Sequence, residues 1–121
     1  MKQLTKGEEE IMHIIWKLKN CTVSQIIATM DDPKPPHSSI SSIVRILERK
    51  GFVNHKTYGR THDYFPIVDK KDYSKSSLKK LVSGYFDGSM NQLVSFMVKE
   101  NDMSVDELNE LLEKLKSSKN D

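Results

Sequence analysis

The apolar period of this chain changes at Gly51, and that change limits the folds open to it. Before it, in "HSSISSIVRILERK" (residues 37–50), apolar residues recur at Ile40, Ile43, Val44 and Leu47, the spacing of one helix face. After it, "FVNHKTYGRTHDYFPIV" is rich in Val, Phe, Tyr and Thr, with a break at Gly59. That pattern predicts two antiparallel strands joined by a turn around Tyr58 to Arg60. Gly51 supplies the left-handed stop after the helix, and Pro66 suits the end of an edge strand.

Two further helices are expected upstream. Thr5 and Glu8 have capping-box spacing, and the stripe Ile11, Ile14, Ile15 and Leu18 follows, with Trp16 beside it. Thr22 and Gln25 repeat the spacing and open a short helix striped by Val23, Ile26, Ile27 and Met30. "DDPKPP" (31–36) cannot continue that helix, because proline lacks the N–H and disfavours helical geometry just before itself. The third helix runs from about Ser38 to Lys50. Three helices and a hairpin with short connections form the winged helix-turn-helix plan, and residues 1–70 are read as one such domain. Cys21 is placed at the start of the second helix.

Residues 71–121 return to a helical period. Tyr73, Leu78, Leu81, Val82, Tyr85 and Phe86 occupy the first segment, and "DGS" (87–89) breaks it. Met90, Leu93, Val94 and Met97 stripe the next. Ser104 and Glu107 have capping-box spacing again, before Leu108, Leu111, Leu112 and Leu115. Thin helices of this length cannot bury such faces alone. They either fold back on the first domain or pack against a second copy of themselves; the second is expected, a helical dimerisation domain built on Leu78, Leu81, Val82, Tyr85, Leu93, Val94, Met97, Leu108, Leu111, Leu112 and Leu115. The fold class is mainly α with a small β-hairpin wing.

Composition narrows the function. At 36% hydrophobic and 30% charged residues, the chain reads as a globular protein slightly poor in apolar content for a self-sufficient monomer. One cysteine excludes an internal disulfide and fits a reducing cytosol. The start "MKQLTKGEEE" has no apolar stretch of the signal-peptide kind, and no apolar run approaches membrane-span length. A cytoplasmic location is expected. His13, His37, His55 and His62 are scattered without ligand spacing. His55 and His62 are placed to meet across the hairpin, and with Asp63 they give only a weak metal signal. No catalytic motif is present, so neither an enzyme nor a cofactor is expected.

Charge is more informative in its placement than in its sum. Between residues 34 and 60 lie Lys34, Arg45, Arg49, Lys50, Lys56 and Arg60 against Glu48 alone, the footprint of a polyanion-binding surface. The polar face of the third helix carries Ser38, Ser41, Ser42, Arg45 and Arg49. Small hydroxyl residues near a helix start allow close approach to phosphates and base edges, and Arg45 lies one turn further on, within reach of a guanine edge or a phosphate. Arg49 and Lys50 at the helix end, and Lys56, Arg60 and His62 near the hairpin turn, complete the candidate DNA-contacting set. The rival is a winged helix whose third helix docks on a protein; salt-dependent duplex binding separates the two.

Four stretches resemble the penicillinase repressor family of bacterial transcriptional repressors. They are "LTKGEEEIMHIIWKLKNCTVSQI", "SSISSIVRILERKGFVNHK", "GRTHDYFPIV" and, most specific of all, "GSMNQLVSFMVKENDMSVDEL". The resemblance implies that the front half binds palindromic operator DNA as a homodimer held by the helical tail. It also implies that a membrane sensor metalloprotease, or a protease it activates, relieves repression by cutting the tail. Where the family has Thr, Val or Ile, a basic residue and Thr in the third helix, this chain has Ser39, Ile40, Ser41 and Ser42. That adds Ser39 to the candidate contacts, and the lack of a basic residue at 41 implies a different operator or weaker base readout. Alignment through "NQLVSFMVKE" puts the cleaved bond at Phe96–Met97, where the family's best-known members have Asn-Phe. The copper-responsive branch carries tail cysteine pairs; this tail has none, so copper sensing is not expected.

Overall fold

A computed structural model of the chain describes residues 1–100, 104–110 and 113. Leu111, Leu112 and Leu115 lie outside the described residues. The chain divides into two compact units, Met1–Ser77 and Leu78–Asp121. The first is a winged helix: α1 (Lys6–Leu18), α2 (Val23–Ala28), α3 (His37–Arg49), then β1 (Val53–Tyr58) paired antiparallel with β2 (Thr61–Pro66).

Local chemistry explains each boundary. Thr5 and Glu8 form the full capping box of α1, and Thr22 with Gln25 forms that of α2. Each box satisfies two of the backbone N–H groups that a helix start leaves free. α3 has no side-chain cap, and Pro36 at its N-cap offers only its carbonyl, to Ser39 and Ile40. Its far end is a Schellman turn. Gly51 sits at φ 84°, its N–H bonds the Glu48 carbonyl, and the Phe52 N–H bonds that of Leu47. Phe52 and Leu47 are both buried, which is the apolar contact this turn favours. The hairpin turns at Gly59, φ 63°, and Pro66 closes β2 opposite Val53.

The core takes most of the stripes expected from the period: Ile11, Ile15, Val23, Ile26, Ile40, Val44 and Leu47, joined by Met12, Phe52 and Val53, while Leu18 of the α1 stripe, at the end of its helix, is exposed. Cys21 departs from the sequence-based placement. It pairs with Tyr64 as a one-residue strand beside β2, each N–H donating to the other's carbonyl at 2.9 and 2.7 Å. Burial, and the negative charge of Asp63 after it, push the Cys21 thiol up to about 11, so it is an inert core residue.

Tyr73 departs as well. The sequence groups it with the tail, but its ring packs in the first core, 5.5 Å from Phe52 and 6.0 Å from Trp16. Its hydroxyl accepts from the Leu4 N–H and donates to Glu9 Oε1, at 3.3 and 2.7 Å. Trp16 Nε1 donates to the Val68 carbonyl at 2.8 Å. The first core thus includes the opening turn of α4 (Lys70–Tyr85), and the division between units falls inside that helix.

In the second unit, α4 ends at Tyr85, residues 87 and 88 take positive φ, and Ser89 opens α5 (Met90–Glu100) by accepting from the Gln92 N–H. Phe86 and Phe96 contact at 5.5 Å. Residues 105–110 are helical, with Ser104 Oγ accepting from the Glu107 N–H at 3.0 Å. No helix among the described residues is long and apolar enough to cross a membrane.

Candidate nucleic-acid interface

α3 buries Ile40, Val44 and Leu47 and turns its other side outward. Ser38, Ser39, Ser42, Arg45 and Arg49 are exposed and Ser41 is half-buried. Ser42 Oγ donates to the Ser38 carbonyl at 2.9 Å, so that hydroxyl is partly engaged by its own helix. Ser41, Arg45 and Glu48 line a concavity whose other wall is the hairpin, through His55, Arg60, Thr61 and His62; Thr22 and Ser24 complete it.

Register decides which hairpin residues join this surface. His55 pairs with Tyr64 and Thr57 with His62, while Lys56 pairs with Asp63. Alternation puts His55, His62 and Tyr64 on one side of the ribbon and Lys56 with Asp63 on the other. Arg60 and His62 therefore line the concavity, and Lys56 does not. Lys56 sits across from a carboxylate far enough along the chain to be missed by inspection of its neighbours in sequence. Lys50 is also set apart. Its Nζ donates to Glu8 Oε1 at 2.5 Å and to the Gln3 carbonyl at 3.3 Å, joining the end of α3 to α1. That contact holds the Glu8 carboxyl below the usual carboxylate range despite burial.

Residues outside the sequence-based set also belong here, among them His37, Glu48, His55 and Tyr64. His37 lines the concavity at the start of α3. Glu48, the acid that the local charge count set against six basic residues, bonds His55 Nδ1 through Oε1 at 2.5 Å. The His55 and His62 rings stack at 4.2 Å with planes 16° apart, and Tyr64 packs 5.4 Å from His55. The period-2 pattern was the available signal: it puts His55, His62 and Tyr64 on one face once register is known. Asp63 falls on the other, so the sequence trio of His55, His62 and Asp63 is not assembled. Among the described residues no group of three or more His, Cys, Asp or Glu side chains is arranged to hold a metal ion. Burial raises the Tyr64 hydroxyl, with Glu48 adding to the shift and Arg45 opposing it.

The tail candidates divide by exposure. Leu78, Leu81, Tyr85 and Phe96 are exposed, Leu93, Val94, Met97 and Leu108 are half-buried, and Val82 is buried within its own chain.

The family model for the penicillinase repressor matches residues 4–117. The penicillinase repressor of Bacillus licheniformis is 27% identical over 120 residues, covering 98% of this chain and 93% of that one. The methicillin resistance regulatory protein MecI of Staphylococcus aureus is 28% identical over 110 residues, 90% of this chain and 89% of that one. The solution structure of the DNA-binding domain of the repressor BlaI superposes with a TM-score of 0.52 at 29% identity, covering 59% of this chain and 88% of that domain. The resemblance read from the four sequence stretches is thereby confirmed along nearly the whole chain: this protein belongs to the penicillinase repressor family, a family of transcriptional repressors and not of enzymes.

Proposed function

We propose that the protein is a cytoplasmic homodimeric repressor that reads a palindromic operator with two copies of its winged helix. The observation that carries this reading is the concave surface between α3 and the hairpin, where Ser41, Arg45, Arg60 and His62 converge. α3 enters the major groove by its serine-rich N-terminal half, close enough for hydroxyl contacts. Arg45 reaches a base edge or phosphate, while Arg49 and Arg60 hold phosphates on either side. Lys50 contributes by fixing α3 against α1, and Lys56 sits outside the contact surface.

The exposed apolar side chains of the second unit form the dimer surface on this reading. Residues 1–77 then act as the reading head and the rest as the coupler. Release follows cleavage at Phe96–Met97 in α5, by a membrane sensor metalloprotease or a protease it activates. Phe96 is exposed, and α5 has no buried residue, so local opening there costs little. Cutting the bond separates the two heads and removes the effective concentration that held them on adjacent half-sites.

Duplex binding measured across a salt series tests the first step. Affinity should fall steeply with salt, and Arg60→Ala should lower the log–log slope by about one unit. Binding to duplex that ignores salt, or no duplex binding, would support the protein-docking alternative. Mass spectrometry of the protein during induction tests the last step: a promoter that opens while the chain stays intact rules out proteolysis.

A further inference from the structure

A carboxylate on a DNA-facing surface works against binding, because it repels phosphates across a short gap. Glu48 is such a group. It lies one turn past Arg45 on α3 and lines the same concavity. It is not left alone there. His55 from β1 meets it at 2.5 Å, and His62 from β2 stacks on His55 at 4.2 Å. A chain of contact thus runs from the recognition helix into both strands of the wing. The pair is only partly open to water, with side-chain exposures of 26% for His55 and 35% for Glu48.

We propose that Glu48, His55 and His62 are a positioning relay that joins the wing to the recognition helix and makes operator binding strengthen as pH falls. The inference rests on the DNA-binding reading of this surface. When His55 is neutral, its Nδ1–H donates to Glu48 and the carboxylate keeps its full negative charge toward the duplex. When His55 is protonated, the pair sums to zero and the hydrogen bond becomes charge-assisted, shorter and stronger. Repulsion of phosphates then drops and the root of the wing is held more firmly against α3. Histidine is the side chain whose ordinary charge change falls within about pH 5 to 8.

The other charged groups around His55 agree with that direction. From α3, Arg45 is permanently positive, and His37 stands at the helix start. From the turn comes Arg60, also permanently positive. Tyr64 of β2 is held neutral by its raised hydroxyl. The α2 residues lining the surface, Thr22, Val23 and Ser24, carry no charge. Lys56 and Asp63 lie on the far side of the ribbon.

Simple addition of positive charge at surface histidines would also favour DNA in acid, so the test turns on Glu48. The probe is a duplex selected from a random-sequence pool by the full-length protein, followed by fluorescence anisotropy at constant ionic strength between about pH 5.5 and 8. The wild-type affinity should weaken roughly three- to tenfold from the acid to the alkaline end, the weight of one charge among the phosphates. Glu48→Gln should bind tightly at both ends with most of that slope gone. His55→Gln, which never charges, should keep the weak alkaline affinity throughout. Thermal melts establish that each variant is folded. The relay is overturned if Glu48→Gln keeps the wild-type slope, or if His55→Gln keeps it should the first variant not fold. Absence of duplex binding at every pH would instead overturn the DNA-binding reading, and the relay with it.

Discussion

The two units of this chain treat their apolar stripes in opposite ways. In the first, the central stripe residues of α1 and α3 are sealed: Ile11, Ile15, Val44 and Leu47 are each at most 1% exposed, while Leu18, at the end of α1, opens to solvent. In the second, Leu78 is 43% exposed, Leu81 44% and Tyr85 80%, and α5 buries no residue. Both stretches have helical spacing, so periodicity does not separate them. The difference is in what surrounds the stripe. The first unit packs three helices on one another, with a hairpin against α1 and α3. The second presents thin helices with no sheet among the described residues. A stripe without a layer to cover it is a surface for something else, and on the proposed reading that is a second copy of this chain.

Truncation breaks this comparison most severely. A chain ending at Ser77 should remain a folded monomer, and its affinity for a two-half-site operator should drop by about two to four orders of magnitude. Sedimentation showing a persistent dimer would refute the assignment of the tail. A chain ending at Lys70 should behave worse, because it also removes Tyr73 from the core.

Tyr73 sharpens the position of the boundary. Tyr73→Ala should destabilise the first unit by about 3 kcal/mol, through loss of the ring against Phe52 and Trp16. Tyr73→Phe should cost about 1–2 kcal/mol, since the Leu4 N–H and Glu9 lose their partner. Denaturant unfolding measures both. A negligible effect of Tyr73→Ala would return this turn of α4 to the tail.

Within the first unit, surface and scaffold charges can be told apart. Arg45→Ala should weaken operator binding by about 1–3 kcal/mol and leave the melting curve unchanged. Unchanged affinity would remove Arg45 from the contact set. Glu8→Gln should act the other way round, on stability and not on DNA. Lys50 lowers the Glu8 carboxyl in the folded state, so the stabilisation is present above the ordinary carboxylate range and is lost as pH falls through the folded value. Solvent screening keeps it to about 1 kcal/mol. The acid limb of the stability curve should flatten in Glu8→Gln; an unaltered limb would mean that the pair does not stabilise the fold.

How far the sequence reaches depends on the range of the interaction involved. Both capping boxes, the Gly51 stop, the proline break and the change of period depend on residues within a few positions of one another. Thr5 with Glu8 and Thr22 with Gln25 therefore appear in the structure as their spacing requires. The apolar face of α3 was legible for the same reason, and its polar face followed as the complement. Strand register is a longer-range quantity. A turn of one residue more or less would have moved Lys56 to the side of His62, and only the pairing of Thr57 with His62 settles which face each takes. The commitment of Lys50 to Glu8, the bridge of Cys21 to Tyr64 and the docking of Tyr73 between Phe52 and Trp16 join residues 42, 43 and at least 21 positions apart. Such pairs leave no periodic trace along the chain. By itself the sequence determined where helices start and stop and which of their faces are oily. Tertiary structure alone decided which charges face outward, because a side chain's partners across the fold are set by packing and not by its neighbours in the chain.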